Sequence, residues 1–446
     1  ELMIILGTNS IKDTGFNVAN SLRFNSGSSD YLAKTFSSDG NRKKWTWSGW
    51  VKRSVLGTYQ MLFMCKSGST YSAINLVGDQ LRYFDYSSSF NSQVRTNRVF
   101  RDVSAWYHIV VAYDTAQSTA SNRVKIYVNN FQETSFTTAN YPSLNFDGYI
   151  NESDYTHYIG TEGAADNYFD GYMSEVCFID GSALAPTDFG EFDEDSGIWK
   201  PINVSGLTFG NNGFYLDFED SSALGNDANG SNNFTVNNLT AIDQSTDTCT
   251  NNFATLNPLT PSSSSGMSEG NLKHENSTGD FDMRISTIAV TSGKWYFETK
   301  IGALSGGWQI GILDPDQFQS VYYISGKSRG YVYRSTGEKA NSNTNVGSWG
   351  DTYTTGDIIG IALDLDNNKI YASKNGTFQA SGDPTSGATG TGAMYSVTDG
   401  YYYAFGITAN DSGTNPTCEC NFGSPSFSIS SGNTDGNGYG NFEYAV

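Results

Sequence analysis

The sequence predicts an all-β protein in which two β-sandwich domains follow a short N-terminal arm. Three observations carry that prediction. The 446 residues include 48 Gly and 28 Tyr, with recurrent Asn and Ser and no long Leu/Ala/Glu/Lys run, a composition suited to short strands joined by polar loops. Apolar residues recur at a period of two, most plainly in GDIIGIALDLDNNKIYASKNG (356–376), where Ile361, Leu363 and Leu365 alternate with Ala362 and Asp364, as in a strand with one face in a core. Finally, TLNPLTPSSSSGMSEG (255–270) is Pro- and Ser-rich and aperiodic, the mark of a linker, and the chain exceeds the usual size of one core. The expected domains are an arm over 1–20, a first sandwich over 21–201, a connecting segment and linker over 202–267, and a second sandwich over 268–446.

In the arm, Met3–Leu6 either adds a strand to a neighbouring sheet or anchors the protein on a partner, or it is the first strand of the next domain. SLRFN (21–25), DYLAKTF (30–36), WTWSGWVKR (45–53), AWYHIVVAYD (105–114), RVKIYVNNFQ (123–132), THYIGTE (156–162) and FDGYMSEVCFID (169–180) then read as strands, spaced as in a two-sheet sandwich. In 202–267 a strand is expected at Phe214–Phe218, pairing with either sandwich. In the second domain the run from Ile358 turns at Asp366, Asn367 and Asn368, because Asx side chains bond nearby backbone and tolerate left-handed geometry. Lys369 to Ser373 answers it, and Asn375-Gly376 supplies a tight turn.

Five motifs in order, SGKWYFETKI (292–301), GWQIGIL (307–313), the hairpin above, GYYYAFGI (400–407) and NFGSPSF (421–427), resemble the SPRY domain over about residues 268–430. That resemblance implies a binding module. The strands WTWSGWVKR, AWYHIVVAYD, RVKIYVNN and FDGYMSEVCFID resemble the laminin-G-like, or concanavalin A-like, jelly roll, with Asn130 in a place usually held by glycine, a tolerable change because Asn accepts positive φ. The resemblance implies a short helix after the last of these strands, over LAPTDFGEF (184–192), with Pro186 and Thr187 near its start. The expected fold class is therefore all-β, two concanavalin-like β-sandwiches in tandem with an N-terminal arm. The arm and first domain (ILGTNSIKDTGF, SLRFNSGSSDYL, WTWSGWVKRS), with GFYLDFEDSSALGND and NNFATLNPL, also resemble structural and adhesion proteins of marine tailed bacteriophages. This implies a homo-oligomeric tail fibre or capsid or tail decoration on the virion surface, extracellular, whose partners are other virion structural proteins and a host-surface glycan or protein. A purely structural decoration protein is the alternative, and a polysaccharide depolymerase the third reading.

Charge narrows the classes. A net charge of −20 argues against a polyanion partner, nucleic acid above all, whose binding rests on phosphate neutralisation by Lys and Arg, and fits a protein kept soluble by surface acidity. No apolar run reaches about 18 residues, so no membrane insertion is expected. The start, ELMIILGTNS, lacks a basic flank and does not read as a secretory signal; Glu1 in place of an initiator Met leaves open whether residue 1 is the native start. Cys65, Cys177, Cys249, Cys418 and Cys420 form no disulfide framework. Cys418 and Cys420 have no second Cys/His pair at zinc spacing and read as buried small residues on one strand face.

Motifs that could carry chemistry are incomplete, and no catalytic residue is expected. Glu191-Phe-Asp193-Glu-Asp195-Ser196 approaches the E-x-D-x-x-E strand of retaining glycosidases but ends in Ser, whereas retention needs two carboxyls about 5–5.5 Å apart. His108, His157 and His274 share no motif, and His108, within AWYHIVV, reads as a satisfied core histidine. Gly326-Lys327-Ser328 follows Val321 where a P-loop requires Gly, and Asp364 to Lys369 lacks the glycine of a calcium loop. No cofactor is expected, beyond a calcium ion that laminin-G-like domains often hold, with Asp166, Asn167 and Asp170 as its oxygen donors. Binding is expected at aromatic rings, because sugars stack on Tyr and Trp while Asn and Asp take their hydroxyls. The ligand-binding candidates are Tyr322, Tyr323, Tyr331, Tyr333, Arg334 and Trp349 in the second domain and Tyr168 in the first. Since strand residues alternate between faces, half of any such set is expected to be core.

Overall fold

Strands between Ser21 and Asn421 supply the regular structure of the computed structural model, which describes residues 15–259, 266–278, 280–304, 306–318, 323–410 and 412–445. No α-helix occurs among these residues. They fall into two compact units that meet in sequence at Asn252 and Phe253. The proposed arm strand Met3–Leu6 and the middle of the Pro/Ser-rich stretch, residues 260–265, lie outside the described residues.

The first unit is a sandwich of two antiparallel sheets. One runs, in spatial order, Phe131–Gln132, Val124–Val128, Trp106–Asp114, Lys44–Arg53, Gly171–Asp180, Ser21–Phe24 and Gln244–Ser245, with Phe214–Leu216 also on Gly171–Asp180. The other runs Phe136–Asn140, Ser89–Val99, Gln80–Ser87, Thr70–Val77, Tyr59–Ser67, Thr156–Ile159, Tyr31–Thr35 and Thr235–Asn237. The segment after residue 201 thus contributes strands to both sheets of this unit. Four strands between Tyr59 and Val99 form a meander in a stretch where the sequence reading placed none. Its turns hold Gly68 and the Gly78-Asp79 pair in left-handed geometry, the conformation tight hairpins require.

Between these sheets the period-two residues interdigitate. Trp45 stacks on Tyr113 at 4.9 Å and meets Tyr83 edge-on at 5.6 Å; Phe178, Phe63 and Phe214 continue the aromatic core. A carboxylate sits inside this layer. Asp85 accepts hydrogen bonds from Ser72, Ser92 and Tyr83 at 2.5, 2.5 and 2.8 Å, and burial raises its pKa. The expected helix over 184–192 is a single 3₁₀ turn, Pro186–Asp188. Beyond it the chain turns into a hairpin, Gly190–Phe192 against Trp199–Pro201, because Gly190 lets the Trp199 ring lie where a Cβ would stand.

The second unit is also a two-sheet sandwich. Met267–Ser268, Lys273–Glu275, Thr417–Asn421, Lys294–Ala303, Ile358–Asp364, Lys369–Lys374 and Thr377–Phe378 form one sheet, with Tyr395–Ser396 also on Lys369–Lys374. The other holds Phe281–Val290, Tyr403–Asn410, Trp308–Leu313, Gly330–Arg334, Lys339–Asn341 and Thr344–Val346. The expected hairpin forms, with Ile361 opposite Ala372 and Leu363 opposite Ile370, and Asn368 takes the left-handed turn position at φ 56°. Ile359, Ile361, Leu363 and Leu365 enter the core beside Phe297, whose ring meets Phe405 at 4.5 Å and Phe422 at 5.5 Å. Cys418 and Cys420 face the same core, as two strand residues one apart must.

Candidate functional site

In the meander sheet of the first unit, alternation sends Leu62, Cys65, Ile74, Leu81 and Tyr83 into the core and their neighbours to the opposite face. Cross-strand register aligns those neighbours. Tyr158 lies opposite Ala33 on one side and Met64 on the other; Lys66 pairs with Tyr71, Tyr71 with Tyr86, and Tyr86 with Phe90. The result is a band of rings crossing the strands. Tyr71 meets Tyr86 at 5.1 Å, and Phe90 meets Tyr86 at 5.3 Å and Phe84 at 5.5 Å. At the other end Tyr31 lies 6.2 Å from Tyr158 and 6.4 Å from Tyr168. Met61, Met64, Ala73 and Phe84 form the buried floor of the band, whereas the tyrosines are half-buried.

Where Tyr31 and Tyr158 meet Thr35, Thr156, Thr235 and Asn237, the face dips into an open cleft of about 480 Å³. Lys34 and Asn233 line it as well, and further polar groups lie on the same sheet near the rings. Lys66 lies 5.7 Å over the Tyr71 ring and 3.8 Å from Glu162, whose other oxygen accepts from the Asn167 amide at 2.8 Å. Burial first, and then the Tyr168 and Tyr158 hydroxyls, raise the Tyr31 pKa, so its phenol stays a neutral donor. Half-exposed rings flanked by amides, hydroxyls and ammonium groups match the chemistry of a sugar site, in which C–H faces stack and hydroxyls are bonded at the rim.

Among the residues expected to bind, Tyr168 belongs to this face. Asn167 is also here, but its amide is spent on Glu162, and Asp170 accepts from the Ser26 amide at 2.8 Å. No group of three or more His, Cys, Asp or Glu is placed to hold a metal ion among the described residues. In the second unit Tyr331 and Tyr333, 5% and 0% exposed, both face the core. They are two residues apart and so share one face, and the side turned inward covers both rings. Their hydroxyls reach Thr398 and the Asp351 carbonyl, which leaves neither ring free to stack on a ligand. Trp349 is half-buried, edge-on to Tyr333 at 5.5 Å with the Lys339 ammonium 5.7 Å above it. Arg334 pairs with Glu338 at 3.1 Å, and Tyr323 donates to Asn343 at 3.0 Å and packs on Phe281. These three therefore do not converge, and Tyr322 lies outside the described residues.

The residues tested for catalysis are otherwise engaged. Asp193 accepts from Ser196 and from Lys200, and those bonds, the Ser196 amide first, hold its carboxyl down at about 2. His108 Nδ1 accepts from Trp199 Nε1 at 2.9 Å, so the proton sits on Nε2, 2.8 Å from Ser48. Burial lowers its pKa to about 3. It is a neutral, fully bonded core histidine, as the strand context predicts. The tyrosine band as a whole is not legible in the sequence, although LRYFDYSSSF (81–90) carries a cation or ring at the alternate positions Arg82, Phe84, Tyr86 and Phe90.

Comparison with known proteins agrees with this architecture. A family model for the concanavalin A-like lectin/glucanases superfamily (Laminin_G_3) matches residues 25–188, and the SPRY domain model matches residues 294–416. No curated protein sequence matches the chain. Among solved structures, the SPRY domain of human HERC1 is similar at 14% identity and TM-score 0.30, over 37% of this chain and 96% of that one. A Bacteroides ovatus protein put forward as a carbohydrate binder is similar at 17% identity and TM-score 0.34, over 50% of this chain and 59% of that one. Domain 4 of AbnA, a GH43 extracellular arabinanase from Geobacillus stearothermophilus, in complex with arabinotriose, is similar at 20% identity and TM-score 0.26, over 34% of this chain and 66% of that one. The chain thus carries a concanavalin-like, laminin-G-like domain followed in tandem by a SPRY domain.

Proposed function

We propose that this chain is a non-catalytic protein of a bacteriophage virion surface, a tail fibre or a capsid or tail decoration, that holds host-surface glycans on the tyrosine band of its first sandwich. The band carries the reading: a row of half-exposed rings ending in a cleft with Thr, Asn and Lys at its edge. Among the residues named on that face Glu162 alone bears a carboxylate, and it is bonded to Lys66 and Asn167. A retaining or inverting glycosidase needs two. The virion assignment rests on the resemblance of the arm and first domain to phage structural proteins, and repeated copies on a particle would let weak sites act together through avidity.

The test is a glycan array probed with the full chain, followed by calorimetry on the best ligand. Tyr31→Ala and Tyr158→Ala should each weaken binding by about 1–2 kcal/mol, roughly five- to thirtyfold, with the fold intact by circular dichroism. Silence across host glycans, or affinity indifferent to both changes, would remove the band from the reading. Release of reducing sugar from a bound polysaccharide would make the protein an enzyme instead. Antibody to this chain should decorate intact particles.

A purely structural decoration protein is the second reading, and one observation favours it. Phe131, Phe192 and Ile198 are 64%, 42% and 43% exposed, and Phe131 lies 6.1 Å from Phe192 on neighbouring hairpins. Apolar groups exposed together mark contact surfaces. Protection of this patch from hydrogen exchange in assembled particles, without any glycan bound, would favour that role.

A further inference from the structure

One end of the tyrosine band holds two arginines without counter-ions, in a protein of net charge −20. Arg82 and Arg95 occupy directly opposed positions on adjacent strands. Like charges so placed repel, and a fold keeps them only where something offsets the repulsion. Elsewhere in the first unit the arginines are matched. Arg23 pairs with Asp243, Arg42 with Glu152, Arg53 and Arg101 with Asp79, and Arg98 with Glu133. Arg123 donates to three backbone carbonyls. Arg82 and Arg95 make no ion pair among the described residues.

Their surroundings sharpen the point. Arg82 is 6% exposed. It donates to the Asn75 oxygen at 3.1 Å and to the Tyr59 hydroxyl, and its guanidinium lies 4.2 Å over the Phe84 ring and 5.7 Å from Phe90. Arg95 donates to the Val77 carbonyl at 3.1 Å, and its buried Nε has no partner. Both hydrogen-bond partners of Arg82 are neutral, and burial first, with Arg95 adding to it and Tyr59 opposing it, disfavours its charge. A buried cation without an opposite charge is costly, and planar guanidinium forks match a carboxylate or sulfate in two-point geometry.

We propose that the Arg82–Arg95 pair is an anion subsite of the glycan face, and that the sugar polymer bound there is acidic, presenting a carboxylate or a sulfate ester to the two guanidinium groups while its rings stack along the tyrosine band. The inference rests on the glycan-binding reading above and adds the ligand's charge. The face supplies both parts of such recognition, rings for the sugar and an unmatched pair of cations for the acid.

The experiment measures binding of the full chain to polygalacturonate, dextran sulfate, neutral dextran and polyglutamate, at about 0.05 M and about 0.5 M NaCl, between which the Debye length shortens roughly threefold. Arg95→Gln, at a half-buried position, is the principal variant, and Arg82→Gln is the second. Each is checked for folding by circular dichroism and urea midpoint, so that Arg95→Gln carries the test if Arg82→Gln does not fold. The expected result is a preference for one or both acidic polymers over dextran, weakened by salt and reduced about tenfold or more in the folded variants. The polygalacturonate and dextran sulfate arms tell carboxylate from sulfate. Equal binding of neutral and acidic polymers, or an acidic preference that Arg95→Gln leaves intact, overturns the anion subsite while the glycan face stands. Equal binding of polyglutamate overturns the assignment to a sugar, and binding of no polysaccharide overturns both readings.

Discussion

Replacing Glu175 by Gln should change the pH dependence of the first unit's stability in a way that can be worked out in advance. Glu175 sits at a bulge in the strand Gly171–Asp180, where the register with Lys44–Arg53 shifts between Ser174 and Cys177. Its backbone takes φ 50°, rare for a residue with a long side chain. The bulge turns the carboxyl inward, where it is 6% exposed and accepts a 2.6 Å hydrogen bond from the Tyr215 hydroxyl. Burial is the main reason its pKa rises from 4.5 to about 8; the Tyr215 bond opposes the rise, and Asp217 and Glu219 add to it. The folded form therefore holds a proton that the unfolded chain has lost, and stability falls wherever the folded state binds more protons. For this group the fall begins near pH 4.5 and ends near pH 8, with full stability below that window. At about 1.4 kcal/mol per pH unit, the loss between pH 5 and pH 8 is on the order of 4 kcal/mol. Gln keeps an oxygen for Tyr215 and does not titrate. Urea denaturation of both proteins at pH 5, 6, 7 and 8 should show E175Q gaining on the native chain by on the order of 4 kcal/mol across the series. Other buried acids, such as Asp85, affect both proteins alike and cancel. Parallel curves over that range would refute the claim that this carboxyl is buried as a neutral acid.

Other perturbations give equally definite outcomes. Asp85→Ala strands the hydroxyls of Ser72, Ser92 and Tyr83 inside the first core; at about 1–3 kcal/mol for each buried polar group left unmade, the first unit's thermal transition should drop sharply, and an unchanged midpoint would contradict the described network. Phe297→Ala removes the ring that holds Phe405 and Phe422 together and should cost about 3–5 kcal/mol, read as a lower urea midpoint for the second unit. The losses of glycan affinity in Tyr31→Ala and Tyr158→Ala, and of acidic preference in Arg95→Gln, complete the set.

The legibility of the sequence differs between core and surface for a physical reason. Alternation is local, so Ile361, Leu363 and Leu365 announced their shared core face, and Asn368 its turn, without knowledge of any partner strand. The short helix expected over 184–192 gives way because Pro186 opens only a turn, and Gly190–Phe192 then pairs with Trp199–Pro201 in a twelve-residue hairpin, a contact that no local propensity encodes. Alternation was silent over Tyr59–Val99 because that meander puts Met61, Met64 and Phe84 on its outer face and Asp85, Ser72 and Ser92 within. Such strands lack the plain apolar/polar contrast by which a half-buried strand is recognised.

By itself, then, the sequence determined the class: period-two strands, Asx and Gly turns, and two blocks of motif that the SPRY and laminin-G-like families share. Whether a given tyrosine is core or surface was decided only by the tertiary structure. Tyr331, Tyr333, Tyr71 and Tyr158 all sit in strands of similar composition, yet the first two face a second sheet and the last two face outward, because a strand's two sides are chemically distinguished only once another layer covers one of them. The pairing of Arg82 with Arg95, thirteen residues apart in sequence, likewise exists only through the register of folded neighbours.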